Sequence, residues 1–431
     1  MSSHAASAAP VADPLGRRVP PAWLFGVLAI PFGVSAAFSA TTVGRIFALH
    51  HLPADLIAGA VALSILPSAL QFLWAPIVDV GIRRRAWLVV MAVISAALLL
   101  AATFVPLPEH KGWFITLVVA AQLASGLTGS CNGGLMATLL PPADRARASG
   151  WYNAGNVGAG PIGAGVTLWM LGRGVSPRLI GAAVAVMIIL PALAAFFVDE
   201  PEHAGHRSAL ETFQDMIGTT WRTLRARAGW TGVLICLSPV GTAAAINLFS
   251  SVPDAYRAPT WMVTNVTGFG GGLITAVGSL IGGYACTRMK PRIAYVMSGA
   301  LTVFCAIAMG LAPFAPSTYA WGALTYYFLA GLCYGTFTAM VLEVVGAADA
   351  GASTRYTLFT AAANVAIAYV TWFDGKGSVW FEQRHGAGLG PRGLLYTDAA
   401  LNLIGIFVLL SLLRLLRPAR AVIAAAPAET K

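Results

Sequence analysis

Apolar runs of about twenty residues, each long enough to cross ~30 Å of hydrocarbon, recur along almost the whole of this 431-residue chain. Twelve can be drawn, over roughly 22–46, 56–79, 86–105, 112–140, 150–172, 178–198, 230–250, 264–286, 293–313, 318–346, 355–373 and 396–415. In a bilayer core each backbone N–H and C=O must be satisfied within its own segment, so runs of this length predict helices. With 57% hydrophobic and only 10% charged residues, the chain has too little polar surface to coat a soluble globule. The expected fold class is an all-α integral membrane protein of twelve transmembrane helices.

Basic residues orient these spans. If the N-terminus is cytoplasmic, 19 of the 27 Lys and Arg fall in cytoplasmic segments and 8, Arg45 among them, on the other side. That asymmetry is the positive-inside bias, and it places both termini in the cytoplasm of a bacterial inner membrane. The net charge of +10 is then mostly topogenic, and no nucleic-acid partner is expected. Residues 1–21 read as a retained tail, because no small-residue cleavage site follows a short apolar core, and 417–431 form a second tail. The five cysteines lie inside predicted spans with no CxxC pair, which indicates neither a disulfide framework nor a metal site. All seven histidines sit in tails or loops, and the i,i+3 pair His203 and His206 reads as solvated linker. No Gly-rich phosphate loop follows a strand. Neither metal, cofactor nor enzymatic activity is expected.

The long polar interruption, 199–229, divides the spans six and six, giving bundles over 22–198 and 230–416. Within it Leu210, Phe213, Ile217, Trp221 and Leu224 recur at helical spacing beside Arg222, Arg225 and Arg227, which predicts an amphipathic helix on the membrane surface. The halves echo one another at an offset of 205 residues: Arg83 and Arg85 fall on Arg288 and Lys290, and LLPPADRARAS (139–149) on VVGAADAGAST (344–354). A six-span unit repeated in parallel is a transporter architecture, with its substrate site between the halves near the bilayer midplane. In this the chain resembles the major facilitator superfamily over nearly its whole length. FLWAPIVDVGIRRRAW (72–87), LLPPADR, WRTLRARAGW and STRYTLFTAA further resemble the AmpG-type muropeptide permeases and the related acetyl-CoA transporters.

Asp79 followed by Arg83, Arg84 and Arg85 places four charges within seven positions of a charge-poor chain. The arginines suit a cytoplasmic turn and the negative end of the second helix, whereas that helix end disfavours Asp79. The resemblance implies that Asp79 and the basic turn, with Arg288 as the second-half counterpart, form a cytoplasmic gate. Tyr284 stands at the position equivalent to Asp79, so the gate is expected to be asymmetric.

The resemblance also implies a cavity lined by spans 1, 4, 7 and 10. Polar stripes lie there: Ser35, Ser39, Thr42 and Arg45; Gln122, Ser125, Thr128 and Asn132; Tyr327, Gly331, Tyr334 and Thr338. In span 7 Ser238 and Thr242 share a face, and Pro239 and Gly241 could kink the helix enough to bring Asn247 into line. Ser, Thr and Gly are ordinary interhelical glue, but Arg45, Gln122, Asn132 and Asn247 carry groups that are costly against lipid. The candidate substrate-binding set is Arg45, Gln122, Asn132, Asn247, Tyr327 and Tyr334. Glu343 is either a proton-coupling carboxylate or a partner for Arg355.

The AmpG-like pattern fails at several charged positions: Gly129 and Gly133 stand where carboxylates are expected, and Gln71, Pro239 and Thr242 are also neutral here. Expected partners are the lipid bilayer and a medium-sized, possibly anionic metabolite, muropeptide- or siderophore-like, moved by a proton-coupled monomer. The alternative is a transport-dead assembly factor of the same fold.

Overall fold

A computed structural model describes residues 19–201, 214, 218, 221, 225, 227–249, 251–345 and 351–415. The predicted amphipathic linker helix falls mostly outside the described residues, as do Ala348, Asp349 and most of both tails. No strand occurs among the described residues. Twelve helical elements follow in order. The first six are α1 (Ala22–Leu49), α2 (Ala54–Leu70), α3 (Arg84–Ala102), α4 (Lys111–Leu139), α5 (Pro142–Gly172) and α6 (Pro177–Phe197). The last six are α7 (Arg227–Cys236), α8 (Thr260–Arg288), α9 (Pro291–Leu311), α10 (Pro316–Val345), α11 (Ala352–His385) and α12 (Gly390–Leu415). Among the described residues, nine of them are long and apolar enough to cross a membrane.

The sequence starts these helices with proline. Pro142, Pro177, Pro291 and Pro316 open α5, α6, α9 and α10, where the missing N–H would have had no intrahelical partner. Three helices depart from regularity. α1 opens into a wide π turn at Phe38–Thr42. α2 tightens beyond Leu70 into 3-10 turns at Gln71–Leu73 and Ala75–Asp79, where Pro76 removes a donor. α7 stops at Cys236 and resumes only as a 3-10 turn at Ala244–Leu248; between them Gly241 (φ 60°) and Ala243 (φ 51°) adopt left-handed backbone. The kink expected from Pro239 and Gly241 is a full interruption.

Two apolar cores show how the halves meet. One joins the first six helices to Val341, Leu342 and Val345 of α10 and to Tyr356, Phe359 and Ala362 of α11. The other, around Phe249, Tyr256, Tyr319, Tyr326 and Leu394, contains second-half residues only. The halves therefore share a core at the end that carries Asp79 and keep separate cores at the other. Small residues permit this approach: a Cβ on Gly133 would overlap the Tyr356 ring, one on Gly134 would overlap Ser353, and one on Gly283 would overlap the backbone of Gly150.

Candidate functional site: the junction between the halves

Asp79 ends the second 3-10 turn after α2 and is 7% exposed. Its Oδ1 accepts a hydrogen bond from Arg84 Nε at 2.9 Å and another from the Ser353 backbone N–H at 3.3 Å. Its Oδ2 accepts the Thr354 N–H at 2.9 Å and the Thr354 hydroxyl at 2.8 Å. The carboxylate thus caps the first turn of α11, whose N-terminal N–H groups have no intrahelical acceptor and carry the positive end of the helix dipole. Gly351, with φ of 70°, turns the chain into that position. The conflict in the sequence resolves here: Asp79 lies at the unfavourable end of its own segment and at the favourable end of a helix 275 residues away.

The basic turn divides its work. Arg84 is buried against Asp79. Arg85 donates from Nη1 to the Val198 carbonyl at 2.7 Å. Glu200, which the sequence reading did not select, accepts the backbone N–H groups of Arg84 at 3.1 Å and Arg85 at 2.9 Å, and so caps α3. Its signal was available: an acidic DEPE segment directly after an apolar span, in a chain with a basic turn to match. Arg83 precedes α3 and is half-buried. Arg288 does not join the junction. It is exposed, and its guanidinium lies over the ring of Tyr284 on its own helix and bonds that hydroxyl at 2.7 Å.

Further contacts tie the halves along the same end. Ser130 of α4 and Thr357 of α11 are 2.7 Å apart, and the rings of Tyr152 and Tyr356 meet edge to face at 6.2 Å. Asn153 of α5 donates to Thr338 Oγ1 at 2.8 Å and to the Tyr334 carbonyl at 3.1 Å, while Ser149 donates to the Gly335 carbonyl at 3.0 Å. Deeper along α2, Asn364 reaches the Ser68 carbonyl and Gln71 reaches Thr360.

The polar stripes behave differently from expectation. Gln122 is buried and gives its amide N–H groups to the Ser35 carbonyl, Ser35 Oγ and Ser39 Oγ at 2.6–2.9 Å, so the stripes of α1 and α4 satisfy one another. Asn132 donates to the Phe25 carbonyl at 3.0 Å and keeps its buried Oδ1 without a partner. Thr42 bonds Thr167 at 2.6 Å. Arg45 leaves this face: it is exposed while Ser35, Ser39 and Thr42 are buried, because the wide π turn between Phe38 and Thr42 breaks the regular 3.6-residue spacing. Tyr327 is a core residue, set against Phe249 with centroids 6.0 Å apart. Tyr334 is half-buried and offers its carbonyl to Asn153. Asn247 is exposed beside α11, where it donates to Thr371 at 3.1 Å. Glu343 is neither buried nor paired with Arg355; it stands half-exposed, 3.5 Å from Arg292.

Two buried carboxyls escaped the sequence reading. Asp374 of α11 and Asp398 of α12 are both 0% exposed. Asp398 accepts the Tyr326 hydroxyl at 2.6 Å and the Asn402 amide at 3.3 Å, whereas neither oxygen of Asp374 has a partner.

The major facilitator superfamily profile matches residues 23–371, four-fifths of the chain. The chain belongs to that superfamily. As a member of this family of membrane transporters, it is not an enzyme. Solved structures share the fold at low identity. The fucose:proton symporter FucP of E. coli superposes with a TM-score of 0.63 at 12% identity, covering 90% of this chain and 98% of that one. The human organic anion transporter MFSD10 gives 0.65 at 14% identity, with 90% and 98% covered. The proton:xylose symporter XylE, bound to 6-bromo-6-deoxy-D-glucose, gives 0.64 at 15% identity, with 90% and 94% covered.

Proposed function

We propose that this superfamily member is a secondary active transporter whose cytoplasmic gate is the cap that Asp79 places on α11. One observation carries the reading: Asp79, buried beside Arg84 in the first half, accepts the N-terminal donors of a second-half helix at the end where the cores merge. Such a cap has two discrete states, made and broken, which alternating access requires. With the basic residues read as cytoplasmic, the junction closes the inner end of the path. A bacterial inner membrane, cytoplasmic termini and bundles over 22–198 and 230–416 complete the reading. The substrate is a medium-sized metabolite, with muropeptide-like and siderophore-like compounds both fitting; Arg45, exposed and off the stripe of Ser35, Ser39 and Thr42, does not set its charge. Proton coupling and a monomeric working unit belong to the same proposal.

Untargeted metabolite profiling of cells lacking and overproducing the chain identifies the accumulated compound, and proteoliposomes then measure its uptake. Asp79→Asn, of equal size, should reach normal abundance yet transport at less than a tenth of the parent rate. Transport at the parent rate would reject the gate, and no accumulated compound in any condition would favour the assembly-factor alternative.

A further inference from the structure

The second half contains a polar cluster far from the Asp79 junction. Asp374 lies about 16 Å from the His385 end of α11 and Asp398 about 12 Å from the Gly390 start of α12, at 1.5 Å per residue. The helices are held close between them, since a Cβ on Gly377 would overlap Thr397 and one on Gly393 would overlap Phe381. The two carboxyls sit at a similar depth, fully buried and within electrostatic reach of each other. Among the described residues neither forms an ion pair. The titratable groups that reach them from neighbouring helices are Tyr326 and Cys333 of α10 and Cys305 of α9, all neutral at physiological pH in their ordinary ranges.

An ionised carboxylate without hydrogen bonds in such a place costs several kcal/mol, and two ionised together cost more. The pair is unequal. Asp398 has two donors, the Tyr326 hydroxyl and the Asn402 amide, and can hold a charge. Asp374 has none, so when the two share one proton it is Asp374 that carries it. The donors around Asp398 aim hydrogens at it, an arrangement that suits an anion facing a proton and leaves few oxygens to coordinate a metal cation.

The cluster is also wired to the interrupted helix. Asn402, which donates to Asp398, accepts the Gly241 N–H through Oδ1 at 2.8 Å, inside the unwound stretch between Cys236 and Ala244. The 3-10 turn beyond that stretch touches α11 through Asn247 and Thr371, one turn from Asp374. Non-helical backbone at membrane depth persists only where protein or a cavity satisfies it, and in transporters it marks ion sites.

We infer that Asp374 and Asp398 hold one exchangeable proton between them and pass its arrival or loss to the break in α7 through Asn402. The inference rests on the transport reading for its purpose, and its physical content does not need a substrate. The proton adds to a carboxylate oxygen of Asp374 and departs to water, leaving the carboxylate. Infrared difference spectra of the purified full chain, titrated with pH, test it directly. The parent should show a protonated-carboxyl C=O band that persists above about pH 6, where exposed carboxyls are already ionised, and vanishes at higher pH, and Asp374→Asn should lose that band. Asp79→Asn should keep it. Asp398→Asn should keep the band with a displaced midpoint. NaCl at constant ionic strength, exchanged against KCl, should leave it unchanged. No titrating band in the parent, its survival in Asp374→Asn, an unmoved midpoint in Asp398→Asn, or displacement by sodium would each overturn the proton pair. A chain with the band and no detectable transport would sink the transport reading alone.

Discussion

Asp79 is held by four donors, and its neighbours allow the gate to be weakened in steps. Thr354→Val removes the hydroxyl bond and keeps the backbone N–H, so it should cost the closed state about 1.5–3 kcal/mol, the range for hydrogen bonds to charged groups. A cysteine pair at 71 and 360, whose native side chains meet at 3.4 Å, would report this through crosslinking as a closed-to-open ratio reduced about tenfold or more. Equal yields with and without the substitution would remove the hydroxyl from the gate. Glu343→Gln should change stability by no more than about 0.5 kcal/mol, because its pair with Arg292 is half-exposed; a thermal unfolding scan checks it. The same physics explains what could be read in advance. Asp79 stood out because it interrupts an apolar run and precedes three arginines. The sequence does not say whether a carboxylate near a helix end points inward, as Asp398 does, or out to solvent beside a basic neighbour, as Glu343 does.

At the level of elements, α11 shows why Asp374 was missed. Its apolar signal fades after Phe373, where DGKGSVWFEQRH carries two glycines and five ionisable side chains, and a reading by hydropathy ends the span there. The helix runs on to His385 because α12 packs at close range on Gly377 through Thr397 and Gly393, a tertiary contact that local periodicity does not encode. The π turn of α1 likewise moves Arg45 off the serine stripe, and the interruption of α7 exceeds the kink that one proline and one glycine announce. Glycines at close approaches yield a prediction of their own. Gly133→Ala places a methyl group where the Tyr356 ring lies, and overpacking of this kind costs about 1–3 kcal/mol. It should lower the 71–360 crosslinking yield, and Tyr356→Leu in the same chain should restore part of it. A yield unaffected by Gly133→Ala would mean that α4 and α11 do not need this approach to close.

For the whole molecule, an all-helical membrane fold was legible because hydropathy acts over long segments and survives local error. Which end of the bundle is closed was not legible, since it depends on contacts between helices hundreds of residues apart. Orientation relative to the membrane can be tested on exposed positions. Arg84 is a poor reporter, because a cysteine there would be buried at 3% exposure and silent from either side. Arg288 and Arg384 are both exposed and lie at opposite ends of the bundle. Of the native cysteines, Cys131, Cys236, Cys286 and Cys333 are buried and only Cys305 is partly accessible, so a Cys305→Ser background should be nearly unreactive. In intact cells an impermeant thiol reagent should label Arg384→Cys and spare Arg288→Cys, and permeabilised cells should label both. The closed end is then cytoplasmic, and breaking the Asp79 cap opens the path inward. The opposite pattern would invert the direction of the gate while leaving its geometry as described.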